Sequence, residues 1–231
     1  MSGVSFVTGT RREAALLRRA MPAGRGAGEI ACAGASAARA AEATRRLLAA
    51  GARGLVSFGV AGGLSATLPS GALLLPATVC DRDGTAFIPD EGWRRRISGD
   101  LGNSAPCHGG TLLSVDHALS GASDKAVAAR ETGAIAVDME SAAVGRVAGR
   151  AGVPFVVLRV VADQAGDVLP PAALVAIKPD GGIAPFLVLK SLLGKPSQLA
   201  DLWRLAAADR KAMRTLSRVV AAAPALFFLG D

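Results

Sequence analysis

Short apolar runs alternate with stretches of helical spacing along the first two thirds of the chain. Residues 4–9 form a run closed by Gly9, and Glu13-Ala14-Ala15-Leu16-Leu17 continues with helical spacing, so the opening predicts strand, tight turn, helix. Residues 37–50 are Ala-rich, carry Leu47 and Leu48 on one side and stop at Gly51, the pattern of a helix ended by glycine. Gly54-Leu55-Val56-Ser57-Phe58-Gly59-Val60 predicts a buried strand running into Ala61-Gly62-Gly63. Further strands are predicted over residues 73–79, 111–115 and 134–137, the last leading through Asp138-Met139-Glu140-Ser141 into a helix over 142–151. Pro154-Phe155-Val156-Val157-Leu158-Arg159-Val160-Val161 is the most strand-like run and delivers Ala162-Asp163 at its C-terminal end. The alternation predicts an α/β fold. Beyond Asp167, Pro and Gly interrupt the pattern until a long helix over about residues 197–221.

Composition narrows this picture. With 231 residues and 51% apolar positions, intrinsic disorder is excluded, and the absence of a Ser/Pro-rich or charged linker favours one domain over residues 1–231. A net charge of +7 with a mean hydropathy of +0.38 fits a large Ala-rich core, an oligomer interface or a surface that meets an anionic membrane. Nucleic acid is disfavoured as a partner: the arginines lie in short groups, aromatics make up 4% of the chain and there is no tyrosine to stack on bases. Three scattered cysteines, Cys32, Cys80 and Cys107, make neither a disulfide framework nor a zinc site, which fits a reducing cytoplasm. The N-terminus has no basic segment before an apolar core and reads as a strand rather than a secretion signal. Residues 54–80 carry no charge, but Pro69, Pro76 and five glycines mark them as buried strands and turns rather than a membrane span.

Four places bear candidate chemistry. Gly59-Val60-Ala61-Gly62-Gly63-Leu64 is a glycine-rich turn after a buried strand, where a ligand or another backbone approaches closely; it is neither a Walker loop nor a full GxGxxG. Asp138 and Glu140 sit at a strand–helix junction between apolar residues, where carboxylates must be paired or hydrogen-bonded. Asp138 reads as a helix cap, and Glu140 either complements the helix dipole or accepts hydrogen bonds from neighbouring sugar hydroxyls. Asp163 ends the strongest strand, where burial would raise its pKa and suit it to general-acid work, unless it only caps the next turn. Glu13 follows the first strand, and a solvated first-turn glutamate is its plain alternative. His108 and His117 have no ligand-spaced companions, so no metal is expected, and Ser141 lacks the GxSxG context of a hydrolase nucleophile.

Phe58-Gly59-Val60-Ala61-Gly62-Gly63-Leu64, Ala136-Val137-Asp138-Met139-Glu140-Ser141 and Val156-Val157-Leu158-Arg159-Val160-Val161-Ala162-Asp163 follow one another in an order and spacing that resemble the nucleoside phosphorylase/nucleosidase superfamily. The resemblance covers roughly residues 1–165 and is nearest to the methylthioadenosine/S-adenosylhomocysteine nucleosidases. In the tail, Leu169-Pro170-Pro171-Ala172-Ala173, Lys178-Pro179-Asp180-Gly181, the leucine-rich residues 188–193 and residues 198–210 resemble the hopanoid-associated phosphorylases, implicated in removing adenine from adenosylhopane. The resemblance implies a single-domain three-layer sandwich with a central mixed sheet flanked by helices, and a family-specific helical segment over about residues 168–231.

It also implies roles. The ribose-binding Met-Glu pair falls on Met139 and Glu140, the acid that protonates purine N7 on Asp163, and the glutamate that orients the attacking water on Glu13. Ala61 and Gly62 would line the ribose and nucleophile side, and Ala118 and Leu119 would offer backbone groups to the base. The chain departs from the family where Val60 and Ala162 replace serines and where Ala118 stands in place of an aromatic wall, which argues against methylthioadenosine as substrate. Water and phosphate remain alternative nucleophiles, Arg11 or Arg12 being the candidate phosphate ligands, and no cofactor is implied. The expected activity is cleavage of an adenine nucleoside, lipid-linked in the hopanoid case, by a cytoplasmic homodimer. The alternatives are a nucleosidase or phosphorylase acting on soluble nucleosides and a binding module without turnover. Leu199, Leu202, Leu205, Leu216 and Val220 with Trp203, Arg204, Lys211, Arg214 and Arg218 predict an amphipathic helix that either rests on the inner face of the membrane or docks on protein.

Overall fold

The computed structural model describes residues 3–21, 28–102, 105–174, 180–182 and 198–230. Lys178-Pro179 and residues 188–193, which carry part of the tail resemblance, lie outside the described residues. The elements run β1 (Val4–Thr8), α1 (Arg11–Ala20), β2 (Ile30–Cys32), α2 (Ala37–Ala49), β3 (Gly54–Gly63), β4 (Leu73–Leu74), β5 (Thr78–Cys80), β6 (Ala86–Phe87) and α3 (Glu91–Leu101). They continue with β7 (Cys107–His108), β8 (Thr111–Ser114), α4 (Ala122–Thr132), β9 (Ala136–Asp138), α5 (Ser141–Ala151), β10 (Phe155–Asp163), α6 (Pro171–Leu174) and α7 (Gln198–Ala222).

Period-two alternation along β3 and β10 divides the core into two faces. Val56, Phe58, Val156, Leu158 and Val160 pack with Leu17 of α1, Trp93, Ile97 and Leu101 of α3, and Ala212, Leu216, Val219 and Val220 of α7. Leu55, Ala61, Phe155, Val157 and Val161 pack with Ala40, Ala43 and Leu47 of α2 and Ala142, Val144 and Ala148 of α5. The result is the expected three-layer α/β sandwich. Its sheet is mixed: the strand order is β6-β5-β8-β9-β3-β10-β4-β7, with β1 also paired to β3 and β2 to β1. A smaller cluster, including Leu64, Leu113, Val115, Leu119, Ala128 and Val137, lies beneath α4.

Three elements differ from the sequence expectation. Residues 73–79 are two strands rather than one, because the chain changes partners at Pro76: β4 pairs with β10 and β7, whereas β5 pairs with β8 and β6. The polar stretch over residues 81–110 contains α3, capped by the Asp90 carboxylate on the Trp93 N–H at 2.7 Å. Helix α4 was not expected either; it has little amphipathic pattern, and its buried residues are Lys125 and Ala128.

The C-terminal half of α7 docks on the chain's own core, as one of the two readings of that helix has it. The Trp93 indole N–H donates to the Ala225 carbonyl at 2.7 Å, and the Phe6 and Phe227 rings lie 5.5 Å apart, so the residues after α7 are held as well. Trp203, nearer the start of the helix, is 63% exposed. No helix among the described residues is long and apolar enough to cross a membrane. The uncharged residues 54–80 form β3, β4, β5 and their turns.

One detail of the sheet positions the site. β1 pairs with β3 from Val4↔Gly54 to Thr8↔Phe58, and on the same strand β9 pairs only with Gly62 and Gly63. Gly59, Val60 and Ala61 therefore lie where one neighbour has left and the next has not yet arrived. A split of this kind at strand ends leaves a crevice, the usual place for a ligand in an open α/β sheet.

Candidate active site

The crevice is a cavity of about 190 Å³ whose lining includes Glu13, Ala61, Gly62, Ala118, Leu119, Met139, Glu140 and Asp163. All eight residues singled out from sequence thus face one space. Val115, Leu169, Val60, Ala35 and Val137 complete an apolar wall, and Arg159 and Asp138 join the polar one.

At one end stands Glu13. Thr10 caps α1 in a capping box: its Oγ1 accepts from the Glu13 N–H at 3.3 Å, and the Thr10 N–H donates to Glu13 Oε2 at 2.7 Å. The other carboxyl oxygen accepts from the Val60 N–H at 3.0 Å, which ties the β1–α1 turn to β3. Glu13 is buried, so the solvated reading fails. Burial pushes its pKa up, more than the nearby Arg159 and the N–H donors pull it down.

Arg159 rises from the middle of β10 and is buried among carboxylates. Its Nη2 lies 2.6 Å from Asp138 Oδ2 and 2.9 Å from Glu140 Oε2, and donates to Ser57 Oγ at 2.9 Å. Its Nε is buried with no partner among the described residues. Asp138 does take the Ser141 N–H at the start of α5, at 3.1 Å, as a cap would. It does more: it also accepts from the hydroxyls of Ser114 and Ser141 and pairs with Arg159. Glu140, at the β9–α5 junction, is pushed up to about 7 by burial, with Asp138 and Glu13 adding to the rise and Arg159 opposing it. One guanidinium pairs with Asp138 and Glu140 and has Glu13 nearby, so this end of the cavity holds an excess of acceptors.

At the other end stands Asp163, placed by an irregularity in the β3–β10 register that sets it opposite Gly62. Its Oδ2 pairs with Lys125 Nζ of α4 at 2.5 Å, and the lysine is buried. Burial raises the Asp163 pKa, and the ammonium opposes that rise. Along β3, Val60 meets Glu13 and Gly62 meets Asp163; two strand residues span about 7 Å, the scale of one sugar ring.

Arg11 and Arg12 do not fill the phosphate-binding role weighed for them. Arg11 pairs with Asp180 at 2.7 Å and Arg12 with Asp209 at 2.5 Å, both at the surface, and neither lines the cavity. The turn after Gly9 and the capping of α1 by Thr10 point them outward. Sequence reasoning gave no role to Arg159 or Lys125. A lone arginine inside the apolar run of β10 was a signal, because a buried guanidinium requires counter-charges. Nothing around Lys125 in the chain marked it.

A model described as the Phosphorylase superfamily matches residues 5–176. The chain belongs to the phosphorylase superfamily. The match spans every cavity residue named above. Among solved structures, futalosine hydrolase of Helicobacter pylori aligns at a TM-score of 0.73 and 17% identity, covering 95% of each chain. A mutant of the Helicobacter pylori methylthioadenosine/S-adenosylhomocysteine nucleosidase, with 5′-methylthioadenosine in its active site, aligns at 0.69 and 17% identity over 95% of this chain and 98% of that one. The corresponding nucleosidase of Neisseria meningitidis, in complex with methylthio-immucillin-A, aligns at 0.69 and 19% identity over 94% and 98%. These members of the superfamily share the fold of this chain. No curated protein sequence matches it.

Proposed function

We propose that this superfamily member hydrolyses the N-glycosidic bond of an adenine nucleoside and that its substrate carries an apolar 5′ substituent, adenosylhopane being the compound the tail resemblance implies. The observation that carries the reading is the pair of carboxyls, Glu13 and Asp163, that line a single cavity, one meeting β3 at Val60 and the other at Gly62. Cleavage passes through a cation-like sugar, as in glycoside hydrolysis. Asp163 gives its proton to N7, so the C1′–N9 electron pair leaves into a neutral base. Glu140 accepts from the ribose hydroxyls and sets negative charge beside the developing cation. Glu13 holds the attacking water and takes its proton.

Charge favours water over phosphate. Arg159 is the one cation lining the cavity among the described residues, and it already serves Asp138 and Glu140. A phosphate dianion entering beside Glu13 would meet three carboxylates. Val115 and Leu169 add uncharged, apolar lining to the cavity, which suits an apolar 5′ group. The second reading, a methylthioadenosine/S-adenosylhomocysteine nucleosidase, is favoured by the 5′-methylthioadenosine held by a structural neighbour of the same fold. A homodimer, a cytoplasmic setting and contact of the start of α7 with the membrane surface belong to the first reading, with exposed Trp203 in support of the last.

The experiment is to incubate the protein with adenosylhopane and with methylthioadenosine, each with and without phosphate, and to quantify adenine. Release from the lipid nucleoside alone, independent of phosphate, is the expected outcome. Release from methylthioadenosine establishes the second reading, a phosphorylated sugar product establishes phosphorolysis, and adenine binding without release makes the chain a binding module. Co-sedimentation with anionic liposomes that is unchanged by Trp203→Glu, a substitution at the exposed start of α7, would refute membrane contact by this helix.

A further inference from the structure

Lys125 is a buried ammonium that none of the steps above uses. It projects from α4, a helix with almost no apolar face, and its three N–H donors are all taken: Asp163 Oδ2 at 2.5 Å, the Gln164 carbonyl at 2.8 Å and the Asp167 carbonyl at 3.0 Å. Burying an ammonium is expensive unless its charge is matched and its donors are filled, and both conditions are met here. A neutral side chain of similar length would pack in the same space without that requirement. The two carbonyls belong to the loop that follows β10, so the lysine fixes that loop and the carboxyl at its start in one arrangement.

We propose that Lys125 is the positioning residue of the acid, fixing Asp163 Oδ2 so that Oδ1 carries the transferable proton, and stabilising the carboxylate left behind when that proton goes. The inference rests on the assignment of Asp163 as the N7 donor and deepens it. In the step, the Asp163 O–H bond breaks as the N7–H bond forms, the C1′–N9 pair passes into the purine, and Lys125 keeps all three protons. An acid that must both hold a proton before the reaction and release it during the reaction needs opposing influences. Burial supplies the first and the ammonium the second. The charged groups facing Asp163 are Lys125 from α4 and Asp167 from the loop, the latter raising its pKa; Glu140 and Arg159 line the same cavity.

The test compares wild type, Lys125→Met, Lys125→Gln, Lys125→Arg, Asp163→Asn and the double variant Asp163→Asn/Lys125→Met. It reads adenine release against pH, thermal melting, and the Asp163 carboxyl carbon by NMR, assigned by its absence in Asp163→Asn. Lys125→Met is expected to lower kcat about 10- to 100-fold with KM changed less than about threefold. Its alkaline limb and the Asp163 resonance should titrate about one pH unit higher, since an opposite charge at this range lowers a carboxyl by about one to three units. Lys125→Arg restores most of kcat, and Lys125→Met costs nothing further in the Asp163→Asn background. A folded Lys125→Met with wild-type kcat and titration overturns the inference, as does an equal loss in the Asp163→Asn background. Should Lys125→Met fail to melt cooperatively, Lys125→Gln carries the same two readouts. If the wild type releases no adenine, the functional reading fails, while the NMR titration still decides the inference: an unmoved resonance overturns it and a raised one supports it.

Discussion

Val60 donates its backbone N–H to Glu13 across the gap where β1 leaves β3, and Gly59, one residue earlier, is what lets the two meet. Gly59 has a φ of +154°, and a Cβ there would lie 2.5 Å from Glu13 Oε1 and 2.8 Å from Arg159 Nη1. Gly59→Ala therefore combines a disfavoured backbone with a collision against two charged groups. It is expected to lower stability by about 2–4 kcal/mol in urea unfolding and to abolish adenine release even where the protein is folded. Full activity in Gly59→Ala would mean that Glu13 is not held by this contact.

Arg159 binds Asp138 and Glu140 together, so removing it leaves two buried carboxylates without a cation. Arg159→Met is expected to lose about 3–5 kcal/mol of stability, the scale seen when one partner of a buried pair is removed. The loss should be larger at pH 8 than at pH 5, because Glu140, pushed up to about 7 by burial, can take up a proton at the lower pH. Equal losses at the two values would show that packing, not charge, is what Arg159 supplies.

Glu13, Glu140 and Asp163 were legible because each follows an apolar strand, and a carboxylate at the end of such a strand stands out against its neighbours. The α/β class was legible in the succession of apolar runs and helical stretches, and the three-layer sandwich in what the family resemblance implies. The split beside Gly59 was not, since it depends on which distant strands pair with β3. Pro76 was visible, yet the apolar run around it hid the change of partners. In α3, Trp93, Ile97 and Leu101 have helical spacing, but Arg94-Arg95-Arg96 between them gives the stretch a polar look. Lys125 is buried only because the loop after β10 folds over it, a long-range event with no local pattern.

Stability should fall as pH rises over the neutral range, the reverse of what paired surface carboxylates give. Glu140 moves from 4.5 to about 7 on folding, and burial raises Glu13 and Asp163 as well. A carboxyl with a raised folded value binds its proton more tightly in the folded chain. Its contribution is thus fully present below 4.5 and is lost as pH rises through about 7. Urea unfolding at pH 5, 6, 7 and 8 measures this, and Glu140→Gln should flatten the slope. A rise in stability between pH 5 and pH 8 would mean that Arg159 keeps Glu140 ionised throughout.

Asp163→Asn separates the acid from the rest of the site. The amide has the shape of the carboxyl and can still accept from Lys125 Nζ, so the loop after β10 should hold and the protein should melt near the wild-type temperature. What it lacks is an acidic proton for N7. The expected loss in kcat is about 10²- to 10⁴-fold, the usual contribution of a general acid, with KM for the nucleoside little changed because Met139, Glu140 and the apolar wall are untouched. The residual rate should also lose the alkaline limb that Asp163 imposes on the wild type. A folded Asp163→Asn protein that releases adenine at a near-normal rate would remove Asp163 from the mechanism, and with it the reason for a buried lysine at position 125.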